Sequence, residues 1–171
     1  MEHFLANIRL LLLDVDGVLT DGTITYTDSG EQVKSFSSRD GLGLRLLMNE
    51  GIRVGIVTGR SSEALLHRCR NLKIDLIFDG VRDKAKALED IVDQTGIPLQ
   101  EIGFVGDDLI DLPAMVKVGA PITVGDAPSE VKALARVVTK AQGGRGAVRE
   151  ICEAILKAQG LWDKALEPFL P

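Results

Sequence analysis

An apolar run, Ile8-Arg9-Leu10-Leu11-Leu12-Leu13, breaks into two aspartates one residue apart, Asp14 and Asp16, and then into Gly17-Val18-Leu19-Thr20-Asp21-Gly22. A run that apolar reads as a strand buried on both faces, which is the signature of a parallel sheet covered by helices. Carboxylates at the carboxyl end of such a strand point into the crevice where open α/β sheets bind ligands, an expensive place for charge without a purpose. Neighbouring residues of a strand face opposite ways. At a frayed strand end, though, the loop can turn both carboxylates toward one centre, an arrangement suited to a hard cation and one reacting group. Taken alone, the pair also reads as turn residues flanking Gly17.

The rest of the chain carries the same alternation. Thr23–Tyr26 and Gln32–Phe36 flank Asp28-Ser29-Gly30 as a hairpin, at about 23–36, projecting from the ligand-binding edge. A helix carrying Leu42, Leu44, Leu46 and Leu47 stops at Gly51, and the strand Val54–Val57 ends at Thr58. Ser61 or Ser62 caps a helix to about Asn71, and Leu76–Phe78 is a third buried strand. Asp83 starts a helix with Leu88, Ile91 and Val92 on one face, and Ile102–Val105 is a fourth strand ending at Gly106-Asp107-Asp108. Shorter units follow around Ile122–Val124 and Val137-Val138. The final helix, within a C-terminal helix and tail at about 146–171, shows a stripe of Val148, Ile151, Cys152, Ile155 and Leu156 that reads as core. The expectation is one α/β domain over residues 1–171, a three-layer doubly wound parallel sheet.

Composition excludes several partners. Twenty Lys and Arg against 25 Asp and Glu give a formal charge of −5 with no basic run, which argues against nucleic acid or an anionic membrane surface and for a small molecule. No stretch of about 18 apolar residues occurs and the N-terminus lacks a secretory pattern, so the expected location is the cytoplasm. Cys69 and Cys152 fall in helical segments and read as reduced structural thiols.

Each main strand ends in, or leads to, a residue suited to phosphate chemistry: Asp14 and Asp16, then Thr58, then Lys84 by way of Gly80-Val81-Arg82-Asp83, then Asp107 and Asp108. Singly, Thr58 is a strand-end hydroxyl and Lys84 a helix-start lysine. Parallel strands bring all of them to one edge. Asp111 reads equally as an acid at a helix start, favoured by the helix dipole.

These motifs resemble those of the haloacid dehalogenase superfamily of phosphohydrolases, through Asp14-Val15-Asp16-Gly17-Val18-Leu19-Thr20, Thr58, Lys84 and Gly106-Asp107-Asp108-Leu109-Ile110-Asp111 in the expected order. The resemblance implies Asp14 as nucleophile, forming an aspartyl-phosphate, and Asp16 as the acid and base. It implies magnesium on Asp14, Asp107 and the main-chain carbonyl of Asp16, with Thr58 and Lys84 on the phosphoryl oxygens and Asp108 in support. Members commonly insert a cap domain between the first two motifs or the last two. The 41 residues between Asp16 and Thr58, and the separation of 23 from Lys84 to Asp107, leave no room for one. The hairpin and a neighbouring subunit are then the available lids, so a homo-oligomer is expected.

Arginines narrow the ligand. Arg39, Arg45, Arg60 and Arg68 lie on loops or helix starts near the expected site, where guanidinium groups suit a carboxylate, although a solvated side chain is the default for any one of them. Three glycines around Arg145 make a flexible turn able to carry it over a cleft, or simply a loop before the last helix. In Thr20-Asp21-Gly22, Phe36-Ser37-Ser38-Arg39-Asp40-Gly41, Thr58-Gly59-Arg60 and Gly143–Glu150 the chain is similar to the capless, tetrameric branch acting on 3-deoxy-D-manno-octulosonate 8-phosphate. That similarity implies a homotetramer, and substrate contacts at Asp16, Ser37, Ser38, Arg39, Asp40, Gly41, Arg45, Arg60, Arg68 and Lys84. A related branch acting on nine-carbon keto acid 9-phosphates carries an acid where this chain has Arg60. Leu161 to Pro171 has no counterpart in the branch pattern. A non-turnover phospho-receiver or a regulatory domain is the competing class, against which stands Asp16 beside Asp14 on one strand.

Overall fold

The computed structural model describes residues 2–170. In chain order the elements are α1 (Glu2–Leu5), β1 (Leu10–Leu13), β2 (Thr25–Tyr26), β3 (Gln32–Val33), α2 (Ser38–Asn49), β4 (Arg53–Val57), α3 (Glu63–Leu72), β5 (Leu76–Phe78), α4 (Lys84–Thr95), β6 (Ile102–Gly106), α5 (Leu112–Met115), β7 (Ala120–Thr123), α6 (Ser129–Leu134), β8 (Val137–Val138), α7 (Ala147–Ala158) and α8 (Trp162–Leu166). Six strands form one parallel sheet in the order β5-β4-β1-β6-β7-β8, and β2 and β3 pair antiparallel as a separate hairpin. β1 is central: Leu10 to Leu13 pair with Arg53 to Ile56 on one side and with Ile102 to Val105 on the other. All four of its leucines are fully buried, as the apolar run requires.

Right-handed crossovers place α2 and α3 on one face, where α2 packs on α7, and α4, α5 and α6 on the other. The order of the sheet reverses between β1 and β6, so the carboxyl ends of β1, β4 and β6 surround the switch-point crevice. The doubly wound three-layer expectation is met, and the differences are local. The hairpin strands are two residues each, shorter than the legs read from sequence. α2 starts at Ser38 and not near Leu42, because Ser37 caps it by accepting from the Asp40 N–H at 3.3 Å. Arg39, Asp40 and Gly41 are therefore its first turn. The tail forms α8 and a 3-10 turn, seated on α7 and the end of α2: Trp162 lies 4.9 Å below the Lys157 ammonium and 5.9 Å from the Arg149 guanidinium, and Lys164 pairs with Glu50 at 2.6 Å.

Asp40 shows how a local choice serves a distant element. Its carboxylate is buried and accepts from the Arg149 N–H at 2.8 Å and the Gly146 N–H at 3.4 Å, so it caps the start of α7 from 109 residues away in sequence. Burial raises its pKa, and these donors work against that rise. Replacing it (Asp40→Ala) leaves both N–H groups without a partner, and should lower unfolding free energy by about 2 kcal/mol in a denaturant titration. A midpoint equal to the wild type would show that α7 does not need this cap.

Candidate active site

The loop after β1 is folded tightly enough to bring its carboxylates inward. The Thr20 hydroxyl accepts from the Gly17 and Gly22 N–H groups at 3.3 and 3.2 Å, and the Val18, Leu19 and Thr20 N–H groups all return to the Val15 carbonyl. Gly17 has φ +88°, and a Cβ there would lie 2.0 Å from Asp107 Oδ2. Only glycine allows the β1 loop and the β6 end to come that close. A second close approach clamps the loop from outside: a Cβ on Gly143 would stand 1.7 Å from the Gly17 carbonyl oxygen, and the Gly144 N–H donates to the Val18 carbonyl at 2.9 Å. The segment around Arg145 is thus pinned to the β1 loop. Arg145 itself pairs with Asp21 at 3.5 Å on the surface and is not among the residues lining its own chain's cleft.

The cleft has a volume of about 490 Å³ and is lined by Asp14, Asp16, Thr58, Arg60, Asp107 and Asp108, with Gly22, Ile24, Gly59 and Ile110 at its walls. Carboxylate oxygens of Asp14, Asp107 and Asp111 lie within 4.8 Å of one another. Lys84, the first residue of α4, is buried among them, its Nζ 3.0 Å from Asp14 Oδ1 and 2.5 Å from Asp111 Oδ1. Asp111 is fully engaged: its Oδ2 accepts from the Asp107 and Asp108 N–H groups at 3.0 and 3.3 Å, while Asp108 caps the 3-10 turn by accepting from Leu109. Asp107 Oδ1 is buried without a hydrogen-bond donor, and Asp14 Oδ1 is buried with only the Lys84 ammonium beside it, outside hydrogen-bond geometry. Those two atoms are where a cation fits, because carboxylate oxygens with unfilled lone pairs suit a hard divalent ion.

The electrostatics agree. Burial raises the Asp14 pKa, opposed by Lys84 and reinforced by Asp111. Asp107 is pushed up to about 8, first by burial and then by Asp14, Asp111 and Asp108. Burial pulls the Lys84 ammonium toward neutrality, but Asp14 and Asp111 outweigh it, so its pKa is raised and it stays charged. Thr58 is buried at the end of β4, its N–H bonded to the Phe78 carbonyl at 2.9 Å and its carbonyl accepting from Val81 at 3.0 Å, and it lines the cleft with its hydroxyl accepting from the Arg60 N–H at 3.5 Å.

Of the other expected substrate contacts, only Asp16 and Arg60 line this cleft. Arg68 donates to the Ser37 carbonyl at 2.8 Å and lies 5.8 Å over the Phe36 ring, while Gly41 packs against the Arg68 guanidinium. Ser37 and Asp40 are helix caps, Ser38 and Arg39 are exposed at the start of α2, and Arg45 is half-buried farther along it. Sequence reasoning missed one residue of the site: Lys34, just past β3, whose ammonium is ion-paired with Asp16 Oδ1. The available signal was a lysine on the returning leg of a hairpin already placed beside the ligand edge.

Comparison with known proteins bears on this geometry. The haloacid dehalogenase-like hydrolase family matches residues 74–151. The chain is 45% identical over 159 residues to the 3-deoxy-D-manno-octulosonate 8-phosphate phosphatase KdsC of Escherichia coli (strain K12), covering 93% of this chain and 85% of that protein. The crystal structure of the phosphatase of that name from Moraxella catarrhalis, in complex with magnesium, phosphate and KDO, superposes with a TM-score of 0.96 at 40% identity, covering 99% of this chain and 97% of that one. The cobalt-bound Haemophilus influenzae enzyme gives a TM-score of 0.90 at 43% identity, covering 93% of each chain. Coverage of 99% extends into the segment from Leu161, so that segment has a counterpart after all.

A proton linkage follows from Asp107. Below a pKa of about 8 its carboxyl holds a proton that a cation must displace, so cation binding releases a proton and apparent affinity rises with pH up to about 8, then levels. Calorimetric titration with magnesium in two buffers of different ionisation enthalpy should show that release. An affinity unchanged from about pH 6 to about pH 9 would contradict it.

Proposed function

The chain belongs to the haloacid dehalogenase-like hydrolases, within the family of the 3-deoxy-D-manno-octulosonate 8-phosphate phosphatases, and from that premise we propose that it hydrolyses this eight-carbon sugar phosphate to KDO and inorganic phosphate, a step of lipopolysaccharide precursor synthesis. The observation that carries the reading is the convergence of Asp14, Asp107 and Lys84 at a cleft whose rim also carries Arg60. A phosphomonoester of an acidic sugar has an anion at each end, and the cleft offers cationic partners for both.

Asp14 attacks phosphorus in line, forming an O–P bond as the ester P–O bond breaks, and Asp16 passes a proton to the departing sugar oxygen. Water then attacks the aspartyl-phosphate, giving a proton back to Asp16 and releasing phosphate from Asp14. Lys84 and the Thr58 hydroxyl hold phosphoryl oxygens, where transition-state charge is spread. Magnesium, held by Asp14, Asp107 and the Asp16 carbonyl, would offset the charge shared by nucleophile and phosphate. Arg60, half-exposed on the rim, takes the sugar carboxylate, and its standing where the related nine-carbon branch carries an acid is the basis for preferring an eight-carbon keto acid.

Ile24, Tyr26 and Val33 are exposed apolar residues on the hairpin of a chain with no cap domain, which supports a homotetramer in which neighbouring subunits close the sites. Sedimentation should therefore give a tetramer at assay concentration. A fully active monomer would refute that assembly.

Phosphate release across sugar phosphates, with and without magnesium, tests the activity. Asp14→Asn should lower kcat at least ~10³-fold while leaving the melting temperature in place, because an amide is not a nucleophile toward phosphorus. Arg60→Glu should raise KM for the keto-acid phosphate ~10- to 100-fold, with little change on a phosphate ester lacking a carboxylate. Full activity in Asp14→Asn would move the nucleophile elsewhere.

A further inference from the structure

The side chain of Lys34 is 4% exposed, deep for an ammonium, and its partner is Asp16 Oδ1. The other oxygen of that carboxyl, Oδ2, lies 3.8 Å from Arg60 Nε on the cleft rim. The hairpin that carries Lys34 is anchored again just beyond it, where Arg68 lies over Phe36 and donates to the Ser37 carbonyl. Lys34 is therefore held at a defined depth, although its own stem is flexible. Asp16 needs such a partner. It follows a strand end, it is part of a loop, and a 1 Å misplacement of a reacting group can cost about 10²-fold in rate.

We propose that Lys34 is a positioning residue: by occupying Oδ1 it presents Oδ2 of Asp16 to the oxygen of the leaving sugar, so that seating of the hairpin and readiness for proton transfer are one event. This rests on Asp16 being the acid and base of the proposed phosphatase. In the first step the proton leaves Asp16 Oδ2 for the sugar oxygen as the P–O bond breaks, and the resulting carboxylate keeps Lys34 on Oδ1. In the second, Oδ2 takes a proton from the attacking water while the Asp14–phosphorus bond breaks.

Leaving groups distinguish this role from a structural one. The sugar alkoxide must be protonated as it departs, whereas p-nitrophenolate leaves without a proton. With magnesium present, Lys34→Met and Lys34→Gln should each lower kcat/KM, which reads only the steps through cleavage of the ester P–O bond, by ~30- to 100-fold on 3-deoxy-D-manno-octulosonate 8-phosphate, and change kcat/KM on p-nitrophenyl phosphate by less than ~3-fold. Lys34→Arg should restore most of the loss. Equal losses on both substrates, or none on either, would overturn the positioning role while leaving the phosphatase assignment intact. A wild-type enzyme inactive on both substrates would overturn that assignment and the inference with it.

Discussion

Three carboxylates, those of Asp14, Asp107 and Asp111, have oxygens within 4.8 Å of one another at the carboxyl edge of a buried sheet, and one ammonium, Lys84, stands among them. At such a separation two like charges near a protein surface repel by about 4 kcal/mol, and with all three carboxylates ionised a single lysine would leave the group two negative charges out of balance. The buried Asp107 oxygen that lacks a hydrogen-bond donor and the raised pKa of Asp107 express the same imbalance. A divalent cation removes it with charge to match. The rest of the site is arranged around this fact: Asp111 is held by backbone N–H groups and Lys84 so that the other two remain open.

The scaffold tolerates the crowding because backbone, not side chain, occupies the tightest places. Gly17 lets the β1 loop lie against Asp107, and Gly143 lets the loop before α7 lie against Gly17. The start of α7 is in turn capped by Asp40 from α2. The phosphate end of the cleft is thus braced by elements far apart in sequence, while its rim, with Arg60 and the hairpin, stays exposed and apolar enough to receive other surfaces.

Much of this was legible in the chain itself. The leucine run predicts β1, alternation predicts a doubly wound sheet, and Asp14, Thr58, Lys84 and Asp107 each follow a recognisable strand end. Periodicity could not expose interactions whose partners are distant. Asp40 looks like a substrate contact beside Arg39 and Gly41, yet its carboxylate faces Arg149 and Gly146. Arg68 looks like a free guanidinium and is seated on Phe36 and Ser37. Lys34 looks like one more hairpin lysine and is buried against Asp16. In each case the side chain's direction depends on how two elements dock, which no local pattern encodes.

The alternation of strands and helices and the residues at the strand ends followed from the sequence alone, because burial constrains them locally. Which carboxylate stays open, which is tied down, and which cation faces the cleft were decided only by tertiary structure. Desolvation and Coulomb energies depend on distances of a few ångströms between groups from different strands and loops, and those distances exist only once the sheet has brought its ends together.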